Sequence, residues 1–134
     1  DHLRGCLGRF TADEPIYQLV NVMAAQSATE DPRFFANRIR HSDLDDLRVE
    51  ISVLSPMRLI KNPLTEVTLG THGIYIKRGG QSGTFLPQVA TEHNMDLEEF
   101  LSSCCSHKAG LPHDAWQDPK TEVYVYTAQV FQEE

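Results

Sequence analysis

No stretch of this chain approaches the roughly 20 consecutive apolar residues that a helix needs to cross a bilayer, so a membrane span is not expected. Nor does the chain open on a charged segment running into an apolar one with a small-residue cleavage site, so no signal peptide is expected either. Cysteine is scarce: the three present are Cys6 and the adjacent Cys104 and Cys105. That pattern is no disulfide framework, and adjacent cysteines bridge only with strain, so free thiols in a reducing cytoplasm are the expectation. Positive charge is in deficit, with 12 Lys and Arg against 19 Asp and Glu and a net charge of -7. Binding to nucleic acid through phosphate neutralisation is therefore disfavoured. Arg33, Arg38 and Arg40 come nearest to a basic patch, but Asp43, Asp45 and Asp46 follow at once, which reads as a mixed solvated surface. There is no internal repeat and no low-complexity segment.

What is present is ordinary for a soluble globular protein: 134 residues, 40% apolar and 23% charged. This is enough for one domain, residues 1–134, with its own core. Pro15 near a helix start and Ile16, Leu19, Val20 and Met23 at helical spacing predict an amphipathic helix from the Thr11–Pro15 region to about Thr29, ending before Asp31-Pro32. Ser42–Asp45 has capping character, and Arg48–Leu54 alternates as a strand with Glu50 and Ser52 on one face. Met57–Thr68 reads as mostly loop. Ile74–Lys77 and Thr84–Leu86 flank the glycine-rich segment from Arg78 to Gly83 as a hairpin. Asp96 opens a helix that presents Leu97, Phe100, Leu101 and Cys104 on one face and stops at Gly110. Val123–Tyr126 is the strongest strand by propensity, with Val130-Phe131 as its continuation. Strands in hairpin-like connection with helices between them predict an α+β fold with an antiparallel-rich sheet flanked by helices.

Chemistry concentrates in Leu3-Arg4-Gly5-Cys6-Leu7-Gly8. In an extended segment Arg4 and Cys6 share a face, which sets a thiol beside a guanidinium that favours the thiolate. Gly5 and Gly8 bracket the sulfur and admit another backbone or a small ligand. Cys6 is the candidate nucleophile, redox centre or metal ligand; against that, free cysteine often packs as a small hydrophobe. His72, on a turn, is a candidate general base, with Glu50 as its orienting carboxylate; a backbone-satisfied histidine and a solvated sheet face are the plainer alternatives. Arg4 and Arg33 together would make an anion clamp, although an ion pair with Glu50 or Asp31 accounts for them equally well. Ser52 and Gln88 complete the candidate ligand-binding set. Cys104, Cys105, His107 and His113 lack a Cys-x-x-Cys pair, so no metal site is assigned. No Lys-Ser or Lys-Thr follows Gly79, Gly80 and Gly83, so they read as hairpin glycines and not a phosphate loop.

The motif Leu3–Gly8 resembles the Leu-Arg-Gly-Cys-Ile-Gly signature of the AMMECR1 family. Further segments resemble that family in the same order: Asp31-Pro32-Arg33-Phe34, Val49–Leu54, Gly70-Thr71-His72-Gly73-Ile74, Gly83–Ala90 and Lys108-Ala109-Gly110-Leu111. Met95-Asp96 departs from the family's usual Trp-Asp. The resemblance implies a larger and a smaller subdomain around antiparallel sheet. It also implies that a helix and a strand normally precede the signature, so this chain is expected to lack them. Family members occur with a radical-SAM enzyme and a Memo-type protein, the AmmeMemoRadiSam system, which implies partners without implying a reaction. Two functional readings follow. One is a cleft that binds a small anionic ligand or works by thiol chemistry, with no cofactor assigned and catalysis left open; the other is a noncatalytic adaptor whose motif surface docks a partner protein.

Overall fold

In the computed structural model, which describes residues 3, 5–10, 15–37 and 39–132, the described residues form five strands and four α-helices, with the first and second strands, and the third and fourth, consecutive in the chain. The strands are β1 (Glu50–Leu54), β2 (Arg58–Ile60), β3 (His72–Arg78), β4 (Gln81–Phe85) and β5 (Glu122–Gln132). The helices are α1 (Ile16–Thr29), α2 (Pro63–Glu66), α3 (Gln88–Glu92) and α4 (Leu97–Ser103). The strands form one sheet in the order β1-β5-β3-β4, with β2 also paired to β5. The β2–β5, β3–β4 and β3–β5 pairings are antiparallel, so the fold is α+β, as the hairpin-like connection of the strands predicts. The chain divides into two compact units, a smaller one running up to Ser52 with the residues from Val130 on, and a larger one from Val53 to Gln129.

In the smaller unit, α1 starts at Pro15, whose carbonyl accepts from the amides of Gln18 at 3.0 Å and Leu19 at 3.1 Å. Proline suits this position because its missing N–H would have no helical partner there. The predicted start signal over residues 11–14 lies outside the described residues. The helix ends at Glu30, whose amide still reaches the Gln26 carbonyl at 2.7 Å, just before Asp31-Pro32 forces the chain out of helical geometry. Two 3-10 turns follow, Pro32–Asn37 and His41–Asp46. In the second, the Asp43 carboxylate accepts from the Arg40 amide at 2.9 Å, so the turn is capped from Arg40 and Asp43, two residues earlier than the Ser42–Asp45 expectation placed it.

The larger unit carries the core. Ile74 and Ile76 on β3 are cross-strand partners of Val125 and Val123 on β5, and Ile60 on β2 faces Val123 from the other side. All of these side chains are buried. Helix α4 lays Phe100, Leu101 and the following Cys104 onto this layer, with the Phe100 ring stacked on Phe85 at 5.6 Å between centroids. Asp96 caps α4 by accepting from the Glu99 amide at 2.8 Å. A single π-turn, Cys104–Lys108, ends it, and Gly110 leaves through a positive φ of 68°. That turn packs on β4, where a Cβ on Gly83 would overlap the backbone of Lys108 and Ala109.

Two local expectations are corrected. The β3–β4 turn is tighter than the sequence suggests: Arg78 and Gln81 are paired, leaving only Gly79 and Gly80 in the loop. Gly79 has a φ of 60°, which glycine alone adopts without strain in such a turn. Met57–Thr68 is also not mostly loop. Arg58–Ile60 becomes a strand because β5 offers a ladder to it, and α2 forms because Pro63 sits in its first turn. The Glu66 carboxylate folds back to accept from the amides of Lys61 at 3.0 Å and Asn62 at 2.8 Å. Among the described residues, no helix is long and apolar enough to cross a membrane.

Candidate functional site

The signature segment is seated on the end of α1 and the turn that follows it. Gly5 lies against the Ser27 carbonyl so closely that any Cβ would overlap it, which is why the position takes glycine. Next along, the Leu7 amide donates to Ser27 Oγ at 3.0 Å. Between these two attachments stands Cys6. Its amide donates to Asp31 Oδ2 at 3.0 Å, and its carbonyl accepts from Arg33 Nη2 at 3.1 Å. Both polar groups of the Cys6 peptide are thus tied to one acid–base pair, while the residue itself is exposed.

Asp31 is the centre of this arrangement. It is 3% exposed, and a carboxylate withdrawn from water is tolerated only when its charge is met and its lone pairs are used. Arg33 meets it with two parallel bonds, Nε to Oδ1 at 3.1 Å and Nη2 to Oδ2 at 2.7 Å, and adds its own amide to Oδ1 at 3.1 Å. The Arg33 side chain, its hydrogen bonds first and then the Cys6 and Arg33 amides, holds the Asp31 carboxyl well below the usual range against the opposing effect of burial. Arg33 is pushed up in turn, chiefly by its bonds to Asp31, with smaller contributions from the charge and side chain of Cys6. The guanidinium also lies over the Phe34 ring, 5.4 Å from its centroid. Its Nε and Nη2 are occupied by Asp31 and Cys6, so what it can offer a ligand is Nη1 and not a whole fork.

The other described candidate residues stand on separate elements, apart from Glu50 and Ser52 on β1. Arg4 lies outside the described residues. Gly8 has open space where a Cβ would stand, unlike Gly5. Glu50 is exposed on β1 and takes a hydrogen bond from Gln132 Nε2 at 2.6 Å; Ser52 is half-buried on the same strand. His72 opens β3 in the larger unit. Its Nδ1 accepts from the Thr68 amide at 3.0 Å while its own amide donates to the Thr68 carbonyl at 2.9 Å. An accepting Nδ1 puts the ring proton on Nε2, so His72 would have to give up this bond to act as a base. Gln88 is the first residue of α3 and is half-buried. Cys104 and Cys105 are fully buried in the core, and burial pushes both thiols up. Among the described residues, no group of three or more His, Cys, Asp or Glu could hold a metal ion.

The ion pair with Asp31 that the sequence offers as the plainer account of Arg33 is the one that forms, and what the sequence does not announce is that the same pair also takes both polar groups of the Cys6 peptide, or that Ser27 seats the segment. The signal for Asp31 was there in Asp31-Pro32-Arg33, an acid and a base two residues apart around a proline that restricts the backbone. Ser27 gives no such signal, because a serine in the last turn of an amphipathic helix is indistinguishable from a solvated one.

Residues 1–131 match the AMMECR1 family. Protein NEQ441 of Nanoarchaeum equitans is 45% identical over 139 aligned residues, which take in 100% of this chain and 76% of that protein. Protein MK0488 of Methanopyrus kandleri is 42% identical, over 100% of this chain and 66% of its own length. The crystal structure of uncharacterized protein PH0010 from Pyrococcus horikoshii has the same fold, with a TM-score of 0.89 at 42% identity over 98% of this chain and 65% of that one. This chain therefore spans about two thirds to three quarters of the length of these relatives. With the signature motif seated as a structural unit and a match over almost its whole length, the chain belongs to the AMMECR1 family.

Proposed function

We propose that this protein works through the thiol of Cys6, at a site for a small anionic ligand or substrate. The observation that carries this reading is the contrast among the three cysteines: Cys104 and Cys105 are fully buried, whereas Cys6 is exposed on a backbone whose N–H and C=O are both clamped. A cysteine conserving only its bulk would be packed like the other two. The Arg33 guanidinium, bonded to the Cys6 carbonyl at 3.1 Å, supplies a positive group for an anion. The family's association with a radical-SAM enzyme and a Memo-type protein supports a place for this site in a shared pathway.

The test is alkylation of the native, full-length protein with iodoacetamide, each cysteine read separately by mass spectrometry. Cys6 is expected to be modified in the folded protein, and Cys104 and Cys105 only after unfolding. Protection of Cys6 until the protein unfolds would overturn the reading.

A second reading is supported by the same segment. Leu3 is 57% exposed and Leu7 38% exposed, so the motif also offers apolar side chains to a partner. In this form the protein is a noncatalytic adaptor and the motif docks the Memo-type protein. Calorimetry with that purified protein tests it: Leu3→Asp should abolish binding while Cys6→Ser leaves it unchanged, and binding that is absent, or that survives Leu3→Asp, rules it out.

A further inference from the structure

We infer that Asp31 and Arg33 form a positioning pair for the Cys6 thiol, Asp31 holding the guanidinium in place and Arg33 selecting anionic reaction partners. The inference rests on the thiol reading above and adds to it an assignment for Asp31.

Its basis is how the bonds of the pair are distributed. Asp31 is the only buried residue described in the smaller unit's part of the chain up to Ser52. A buried carboxylate that merely fastened the segment to α1 would be redundant, because Gly5 against the Ser27 carbonyl and the Leu7–Ser27 bond already do so on either side of Cys6. The pair instead converges on Cys6 alone. Asp31 Oδ2 accepts from the Cys6 amide at 3.0 Å and from Arg33 Nη2 at 2.7 Å, and the same Nη2 reaches on to the Cys6 carbonyl at 3.1 Å. The closed circuit of carboxylate, guanidinium and peptide fixes the backbone from which the Cys6 side chain projects. It also orients Arg33 so that Nη1, which bonds to no described residue, remains for a ligand. Pro32 restricts the backbone between the two partners, and the arginine amide and Nε consequently meet the same Oδ1 at 3.1 Å.

The experiment uses disulfide exchange on the native full-length protein. The Cys6 thiolate attacks one sulfur of an aromatic disulfide, the S–S bond breaks, a mixed disulfide forms and the aryl thiolate leaves. Rates are compared for a dianionic nitrobenzoate disulfide and a neutral dipyridyl disulfide, each divided by the rate of a small free thiol. The anionic-to-neutral ratio is the readout, since loosening the segment changes both rates together.

Arg33→Gln removes the positive group and should lower the ratio about fivefold, the size of one charge contact in water. Asp31→Asn separates two possibilities. If only net local charge mattered, deleting a negative group would raise the ratio; if Asp31 holds Arg33 in position, the ratio falls as it does in Arg33→Gln. Ser27→Ala, which loosens Leu7 without touching the pair, should leave the ratio unchanged. A ratio that rises or stays constant in folded Asp31→Asn overturns the assignment of Asp31. If Asp31→Asn does not fold, Arg33→Lys takes its place: it keeps the charge but lacks the planar fork by which Asp31 holds the side chain through both of its oxygens, and an unchanged ratio there overturns the assignment equally. Wild-type Cys6 reacting with neither reagent would instead overturn the thiol reading itself.

Discussion

Tyr126 on β5 lies against its cross-strand partner Gly73 on β3 so closely that a single methyl group at position 73 would overlap the tyrosine ring. The ring occupies the space a side chain would take, and its hydroxyl reaches past the strand to Thr84 Oγ1 at 2.7 Å and the Phe85 carbonyl at 3.1 Å. Gly73→Ala must therefore displace a buried aromatic. Overpacking of this kind costs about 1–3 kcal/mol. Gly80→Ala, in the hairpin turn where a Cβ would meet nothing, should change stability by less than about 0.5 kcal/mol. Urea unfolding of the two variants checks the contrast, and equal midpoints would remove the packing explanation.

The same tyrosine gives the fold an alkaline limit. Burial pushes the Tyr126 hydroxyl up to about 12, against a partial offset from its bond to Thr84. A group whose folded value lies above its unfolded one contributes stability that is complete below the unfolded value, near 10, and lost as pH rises through the folded value. Stability should fall by roughly 2–3 kcal/mol between pH 10 and 12 from this group. Tyr126→Phe should cost about 1–2 kcal/mol at neutral pH, since it leaves the Phe85 carbonyl and Thr84 with one partner fewer. It should also flatten the alkaline fall, and urea midpoints across this pH range measure both effects. A wild-type slope in the phenylalanine variant would show that Tyr126 is not the group responsible.

How much of this could be read beforehand depends on whether a feature is local. The α1 and α4 helices and β5 are written in periodicity, caps and propensity and stand where expected, as does the β3–β4 hairpin apart from its tighter turn. The three-residue β2 is set by the neighbouring strand and by nothing within its own residues, so it had no local signature. The site divides in the same way. Cys6 and its glycines stand out in the motif, but the carboxylate that fixes Cys6 lies 25 residues away. For His72 the plainer alternative, a histidine satisfied by backbone, is the one the structure bears out, with the Thr68 amide on its Nδ1.

Asp96 tests a feature that was legible. Its carboxylate accepts from the Glu99 amide at 2.8 Å and closes the first turn of α4, which carries Phe100 and Leu101 into the core. Asp96→Ala leaves that amide without its cap and should cost about 1 kcal/mol, whereas Asp96→Asn, an equally good capping residue, should cost little. Thermal unfolding of both variants decides the point: similar losses in the two would mean that the charge of Asp96, and not its capping geometry, is what stabilises the helix.

The two glycines of the signature motif should prove unequal. A Cβ at position 5 would overlap the Ser27 carbonyl, a backbone atom within α1 that cannot turn aside as a side chain does, whereas at position 8 it would stand in open space. Gly5→Ala must therefore lift the segment from the helix, and with it the Cys6 amide from Asp31 and the Leu7 amide from Ser27. Amide hydrogen exchange reads this directly: both amides should exchange at least about tenfold faster in Gly5→Ala, as expected when a bonded segment opens locally. In Gly8→Ala they should exchange at the wild-type rate. If Gly5→Ala kept both amides protected, the segment would have another way to seat. The thiol would then owe its position to the Asp31–Arg33 pair alone, and Asp31→Asn would be the variant to free it.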